Sequence, residues 1–297
     1  MTTRSVYLAI APNILRRTVQ DLARLNLSLD LVPPQTHQEM LDFSKNYGHG
    51  EGTVPGLTLC AYPEFVRNLL RLQKTGMLAP LPDSLPPMRR ELTSIGMAEP
   101  SSYFRVVGVV PFVIAAARSV SPPIEDWEDL CRPDVCESIA VPPHDTPLPA
   151  LFDTMMTSLC GERAARAIAA KNTDHTPLDI NKHLDAGNFL AGVSIPAFSR
   201  NFREGNGYMV WPRSGAWPVP LVACVRKDAS PDAMEFLHFL FSNEYQRFLS
   251  ESGSLIPAVE GIPWFEEMDR ADGRLLWPGW DALVSLAIPD NAQGGRE

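Results

Sequence analysis

Along this chain the apolar positions fall into short runs punctuated by proline and glycine, and the spacing within each run changes repeatedly between strand and helix periods. Residues 6–11 form a continuous apolar run of strand length. From Asn13 to Leu25 the apolar residues Ile14, Leu15, Val19, Leu22 and Leu25 recur every three or four positions, which predicts an amphipathic helix. Residues 27–32 alternate and stop at Pro33-Pro34, so the chain opens as strand, helix, strand, a βαβ unit that favours a mostly parallel sheet. A helix over 38–44, a glycine-rich loop over 47–55, a strand over 56–61 and a helix over 63–75, stopped by Gly76, follow.

The longest β-like run, 103–117, carries Val106, Val107, Val109, Val110, Val113 and Ile114 and is interrupted by Pro111. A proline inside a sheet removes a ladder hydrogen bond, so this run is expected to leave one sheet and enter another. Beyond it the pattern predicts strands over 138–141, 189–195, 208–211 and 220–226, with helices over 147–160 and 162–172 among them. One long helix is expected over 230–252 and a last one near 276–286. In the long helix Phe236, Leu237, Leu240, Phe241, Phe248 and Leu249 suit the buried face, while Asn243, Glu244, Gln246 and Arg247 suit the other. Gly253 is expected as its left-handed terminal residue, and Pro257 prevents resumption. The resulting picture is an α/β protein of two lobes. Residues 1–113 and 222–297 make a discontinuous lobe I, and residues 114–221 make an inserted lobe II, with crossings near 111–118 and 219–224.

Composition narrows the partners. The 297 residues are 45% hydrophobic with a formal charge of −9 and a pI near 5.2, and Lys and Arg are scattered, which argues against nucleic acid. No apolar run approaches the roughly 20 residues of a membrane-spanning helix. Five cysteines without a CxxC pair predict neither a disulfide framework nor a zinc site; most read as small buried hydrophobes, with a Cys131–Cys136 bridge left open. The six histidines show no ligand spacing, although His49 and His144 both fall in loops. Gly-x-Ser-x-Gly, Walker and Gly-x-Gly-x-x-Gly motifs are absent, so no cofactor is expected.

Three phrases then occur in a telling order. Pro122-Pro-Ile-Glu-Asp-Trp-Glu-Asp-Leu130 precedes the strand Ser138-Ile-Ala-Val141. The second phrase, Trp211-Pro-Arg-Ser-Gly-Ala-Trp217, runs on through a strand to Lys227-Asp-Ala-Ser-Pro-Asp-Ala233, and the third, Ser242-Asn-Glu-Tyr-Gln246, leads to Gly253 and Pro257. Together they resemble the type II periplasmic binding proteins, the extracellular solute receptors of ABC importers, over about residues 5–260. The resemblance implies two lobes, each a mixed, mostly parallel sheet flanked by helices, closing by hinge motion around a small ligand, with anions among the candidates. It also implies a monomer that docks on an ABC permease. The paired tyrosines of the family's metal-binding branch are not matched, since Tyr208 has no such partner. No secretion leader or lipoprotein cysteine is visible, so the expectation is periplasmic or extracellular if a leader was removed and cytoplasmic if Met1 is the native start. The alternative is a cytoplasmic biosynthetic enzyme on the same fold, with Asp145 or Glu64 as acid or base.

Ligand contacts in such a fold come from strand ends and helix N-termini. The matching positions are Asn13, Tyr62, Asp145, Thr146, Ala197 after Pro196, Trp211, Arg213 and Ser214. Arg213 reads equally as a bidentate partner for a carboxylate or phosphate and as a solvated loop arginine. Trp211 and Trp217 offer stacking surfaces, although core packing is the commoner use of tryptophan. Asp145 and Thr146 suit a helix cap as well as a ligand.

Overall fold

The computed structural model describes residues 2–49, 53–141, 148–169 and 177–285. The chain divides into two compact units. Unit 1 comprises Met1–Val109, Pro220–Trp264 and Pro278–Glu297; unit 2 comprises Val110–Val219 and Phe265–Trp277.

Unit 1 opens as the pattern predicts. Strand β1 (Ser5–Leu8) is followed by helix α1 (Pro12–Arg24), whose first helical position is a proline, preset to helical φ and lacking an N–H that would go unused there. The helix buries Ile14 and Leu22 and bonds the buried Thr18 hydroxyl to Tyr245 Oη at 2.9 Å, while Val19 faces solvent. The chain leaves it through Asn26 at φ 56°, a left-handed turn that asparagine tolerates. Strand β2 (Asp30–Val32), helix α2 (His37–Asn46), strand β3 (Leu57–Cys60) and helix α3 (Pro63–Leu72) follow. β1 lies between β2 and β3, parallel to both, with Val6 opposite Leu31 and Leu57. A short helix α4 (Arg90–Ser94) then leads into β4 (Phe104–Ala117).

β4 runs unbroken through Pro111. Its pairing with strand β9 (Ile256–Pro257) ends at Val109, within unit 1, and its pairing with strand β6 (Ala191–Ser194) begins at Val113, within unit 2. The proline therefore sits where the strand changes neighbours.

Unit 2 continues with a five-residue 3-10 helix at Trp127–Cys131, strand β5 (Ile139–Ala140), and helices α5 (Leu148–Cys160), α6 (Glu162–Ala169) and α7 (Pro177–Asp185). After β6 come a second 3-10 helix at Pro196–Asn201 and strands β7 (Gly207–Val210) and β8 (Trp217–Val225). β6 pairs in parallel with β5, and both β6 and β7 run antiparallel to β4. The core gathers Trp127 stacked on Trp217, ring centroids 3.8 Å apart, with Phe152 edge-on to Trp217 at 5.3 Å. Trp217 is thus a core tryptophan.

The predicted helix over 230–252 is two helices, α8 (Pro231–Leu240) and α9 (Asn243–Glu251). Ser242 breaks it: its side chain accepts from Tyr245 N–H at 3.2 Å and caps the second helix in place of a continuing turn. Gln246, placed by periodicity on the polar face, is fully buried. Its amide donates to Val107 O and Leu240 O, both at 2.8 Å, and its Oε1 accepts from Ala258 N–H at 2.9 Å and Val259 N–H at 3.3 Å. Ser254, at φ 50°, takes the left-handed position expected of Gly253. Gly253 is required for a different reason, since a Cβ there would lie 2.6 Å from Leu249 O. The chain ends, among the described residues, with helices α10 (Glu266–Arg270), unforeseen in the pattern, and α11 (Trp280–Ser285).

All five cysteines are free. Burial pushes the Cys60 thiol up to about 11 and the Cys224 thiol up to about 12, which keeps both neutral in the core of unit 1. The Cys131 thiol hydrogen-bonds to Cys160, while Cys136 reaches Pro133 O at 3.9 Å.

Candidate functional site

Two of the phrases read in the sequence meet in unit 2, residue by residue. Glu125 O accepts from Arg213 N–H at 3.2 Å, and the Glu125 carboxylate lies 3.1 Å from the Arg213 guanidinium. Asp126 accepts from Ser214 Oγ at 2.6 Å and from Ser214 N–H at 3.1 Å, while capping the 3-10 helix in a box with Asp129. Trp127 Nε1 donates to Gly215 O at 2.9 Å. Gly215 has φ 123°, and a Cβ there would lie 2.9 Å from Leu275 C, so glycine is needed both for the backbone and for the close approach of residues 274–276. That approach is held by Ala216 N–H to Arg274 O at 3.0 Å and Leu276 N–H to Ala216 O at 2.9 Å.

This clasp fixes α10 and its neighbours beside the end of β7, and a hollow of about 240 Å³ lies there. Each water occupies about 30 Å³, so there is room for a small solute or for the head of a larger one. Its walls are Val113 from β4, Pro196 from the turn after β6, Met209 from β7, Trp211, and Glu267, Arg270 and Ala271 from α10 and the residue after it. The Trp211 indole is held in place by Nε1 donating to Arg274 O at 2.9 Å and by the Phe265 ring 6.1 Å away. The turn beginning at Pro196 is tied to α7 by Asn181 Nδ2 donating to Phe198 O at 2.9 Å. The approach to β7 is pinned by buried Asp185, whose carboxylate accepts from the N–H groups of Glu204 at 2.6 Å, Asn206 at 2.9 Å and Gly207 at 3.1 Å. Burial alone would raise that carboxyl, but these backbone donors outweigh it and hold it below the usual carboxylate range.

Charge around the hollow is unevenly committed. The Arg270 guanidinium bonds to Glu266 one turn earlier on α10. Glu267 makes no hydrogen bond or ion pair among the described residues. No group of three or more His, Cys, Asp or Glu side chains converges on a metal-sized site among them.

Of the positions singled out in the sequence, Trp211 lines the hollow and Ala197 adjoins its wall at Pro196. Arg213 and Ser214 are exposed, with their side chains engaged in the clasp. Asp145, Thr146 and His144 lie outside the described residues. In unit 1, Asn13 is the second residue of α1, and Tyr62 is the buried residue preceding α3, where it makes no side-chain cap. His49 bonds Asn68 at 2.7 Å, also within unit 1. The walls contributed by α10 were invisible to the pattern, because Glu266–Arg270 has one apolar residue, Met268, and no stripe.

Among curated proteins none is similar enough to match. Residues 59–286 match the family model described as bacterial extracellular solute-binding protein. Among solved structures, iron-bound HitA from Pseudomonas aeruginosa superposes with a TM-score of 0.72 at 16% identity, covering 97% of this chain and 98% of that one. Apo ferric ion-binding protein A from Pasteurella haemolytica gives 0.71 at 12% identity, covering 96% of each chain. The substrate binding protein of an ABC transporter from Agrobacterium tumefaciens gives 0.71 at 13%, covering 97% of this chain and 90% of that one. At these identities the likeness is one of fold, and it is the periplasmic-binding-protein fold that the ordered phrases implied. Since the family model spans well over half of its length, this chain belongs to the bacterial extracellular solute-binding proteins.

Proposed function

We propose that the protein captures a small organic solute by binding alone, and that the hollow in unit 2 around Trp211 contacts that solute. The observation that carries this reading is the fixed indole: Trp211 is anchored through its own N–H and through Phe265, beside the apolar surfaces of Val113, Pro196 and Met209. A rigid aromatic wall set before binding loses little entropy when it is covered. Ala197, next in the chain after Pro196, stays a candidate for the same surface. Asn13 and Tyr62 of unit 1 stay candidates for further contacts.

Delivery to an ABC permease completes the proposal. It is supported by fold neighbours described as ABC transporter proteins, among them those from Agrobacterium tumefaciens and Clostridium perfringens. The protein acts as a monomer outside the cytoplasmic membrane in this reading. Ferric ion, the cargo named for other neighbours, has less support. No acid, histidine or cysteine cluster converges among the described residues, and the Tyr208 ring lies 5.4 Å beneath the Arg118 guanidinium, a cation that would oppose a metal there.

The test is to denature purified protein gently, identify any released solute by mass spectrometry, and titrate that solute back into wild type and Trp211→Ala. Retention of an organic solute, bound at least about tenfold more weakly by the variant, supports the proposal. A chemical change in the solute during incubation, or tight uptake of ferric ion alone, overturns it.

A further inference from the structure

The hollow also indicates what kind of solute it takes. Four charged side chains stand on α10, three acidic and one basic, and two of them, Glu266 and Arg270, are bonded to one another. Of the other two, Asp269 is exposed and off the wall, while the Glu267 carboxylate is half-buried on it and without an intramolecular partner among the described residues. The Trp211 indole has one donor, and it is spent on Arg274 O. What the indole still offers is its π face, whose quadrupole attracts cations. An anion entering here would meet a helix of net negative charge, its one arginine already paired, and an indole with no donor left. A cation would meet a free carboxylate and an aromatic face, with Val113, Pro196, Met209 and Ala271 to cover a carbon skeleton.

From this juxtaposition of Glu267 and Trp211 on one hollow, we propose that the solute carries a positively charged nitrogen, an ammonium or guanidinium, attached to an apolar body. The inference rests on the reading of the hollow as the solute site and reverses the anionic character implied by the family resemblance.

Two probe sets of opposite charge distinguish the possibilities. The cationic set is 1,4-diaminobutane, arginine and lysine methyl ester; the anionic set is succinate, glutarate and inorganic phosphate. Each is titrated calorimetrically into wild type, Glu267→Gln, Glu267→Asp and Trp211→Ala, with near-ultraviolet circular dichroism confirming that each variant is folded. Wild type is expected to bind a member of the cationic set. Glu267→Gln weakens that binding by about tenfold or more, Glu267→Asp restores most of it, and binding falls off with added salt. If an anionic probe binds and Glu267→Gln leaves it unchanged or tighter, the cationic inference is overturned while solute capture stands. If wild type binds a cationic probe and neither Glu267→Gln nor Trp211→Ala changes the affinity, the hollow is not the site and both readings fall. If no cationic probe binds, the inference is likewise overturned.

Discussion

Gln246 in unit 1 and Glu267 in unit 2 are both polar side chains on short helices set against apolar surroundings, and they differ in what they leave unfilled. Gln246 is fully buried and meets four backbone groups, two as donor and two as acceptor, joining α9 to β4 and β9. Glu267 stands on a wall with no partner among the described residues, one residue from a Glu266 that is paired. A saturated polar group inside a unit holds structure, because any loss strands its partners. An unsaturated one beside an aromatic face keeps its interaction for something else.

Substitutions should separate the two roles by stability, from large effects to none. Gln246→Ala leaves Val107 O, Leu240 O and Ala258 N–H without partners in a dry interior and is expected to cost about 3–5 kcal/mol by urea unfolding. Asp185→Asn should cost about 2–3 kcal/mol, since a neutral amide cannot serve the same three backbone donors as well. The Asp185 effect also carries a pH signature. Its carboxyl is depressed in the folded protein, so its contribution is complete above the unfolded carboxylate value of about 3.9 and is lost as pH falls through the lower folded value. Melting curves of wild type and Asp185→Asn should therefore converge as pH drops below about 4. Asp126→Ala removes both the 3-10 cap and the Ser214 contact, at about 1–2 kcal/mol. Glu267→Gln should leave unfolding unchanged within about 0.5 kcal/mol while altering solute affinity. A large stability loss there would place Glu267 in the same class as Gln246 and remove the contrast.

The sequence revealed most where the physics is local. The βαβ opening follows from run lengths and spacing, and Pro111 announced the change of strand neighbours because a proline cannot donate to a ladder. Ser242 carried a legible capping signal inside an apolar run, but the run's helical period masked it. Gln246 was misplaced because period alone assigns a polar residue to the polar arc, and the groups it serves, Val107 and Ala258, lie far away along the chain. The phrases around Asp126 and Ser214 were recognisable in order, yet their contact spans 88 residues and has no local trace. Trp211 was found as a residue type in a loop. Its partners Phe265 and Arg274 were not, since α10 lacks an apolar stripe and reaches unit 2 only after the chain has returned to unit 1.

The most direct measurement is calorimetric titration of the solute released from purified protein into wild type and Trp211→Ala, the variant first shown to unfold like wild type. The account predicts a stoichiometric, enthalpically resolved binding curve for wild type and an affinity at least about tenfold weaker for the variant. Equal affinity in the two proteins would contradict it.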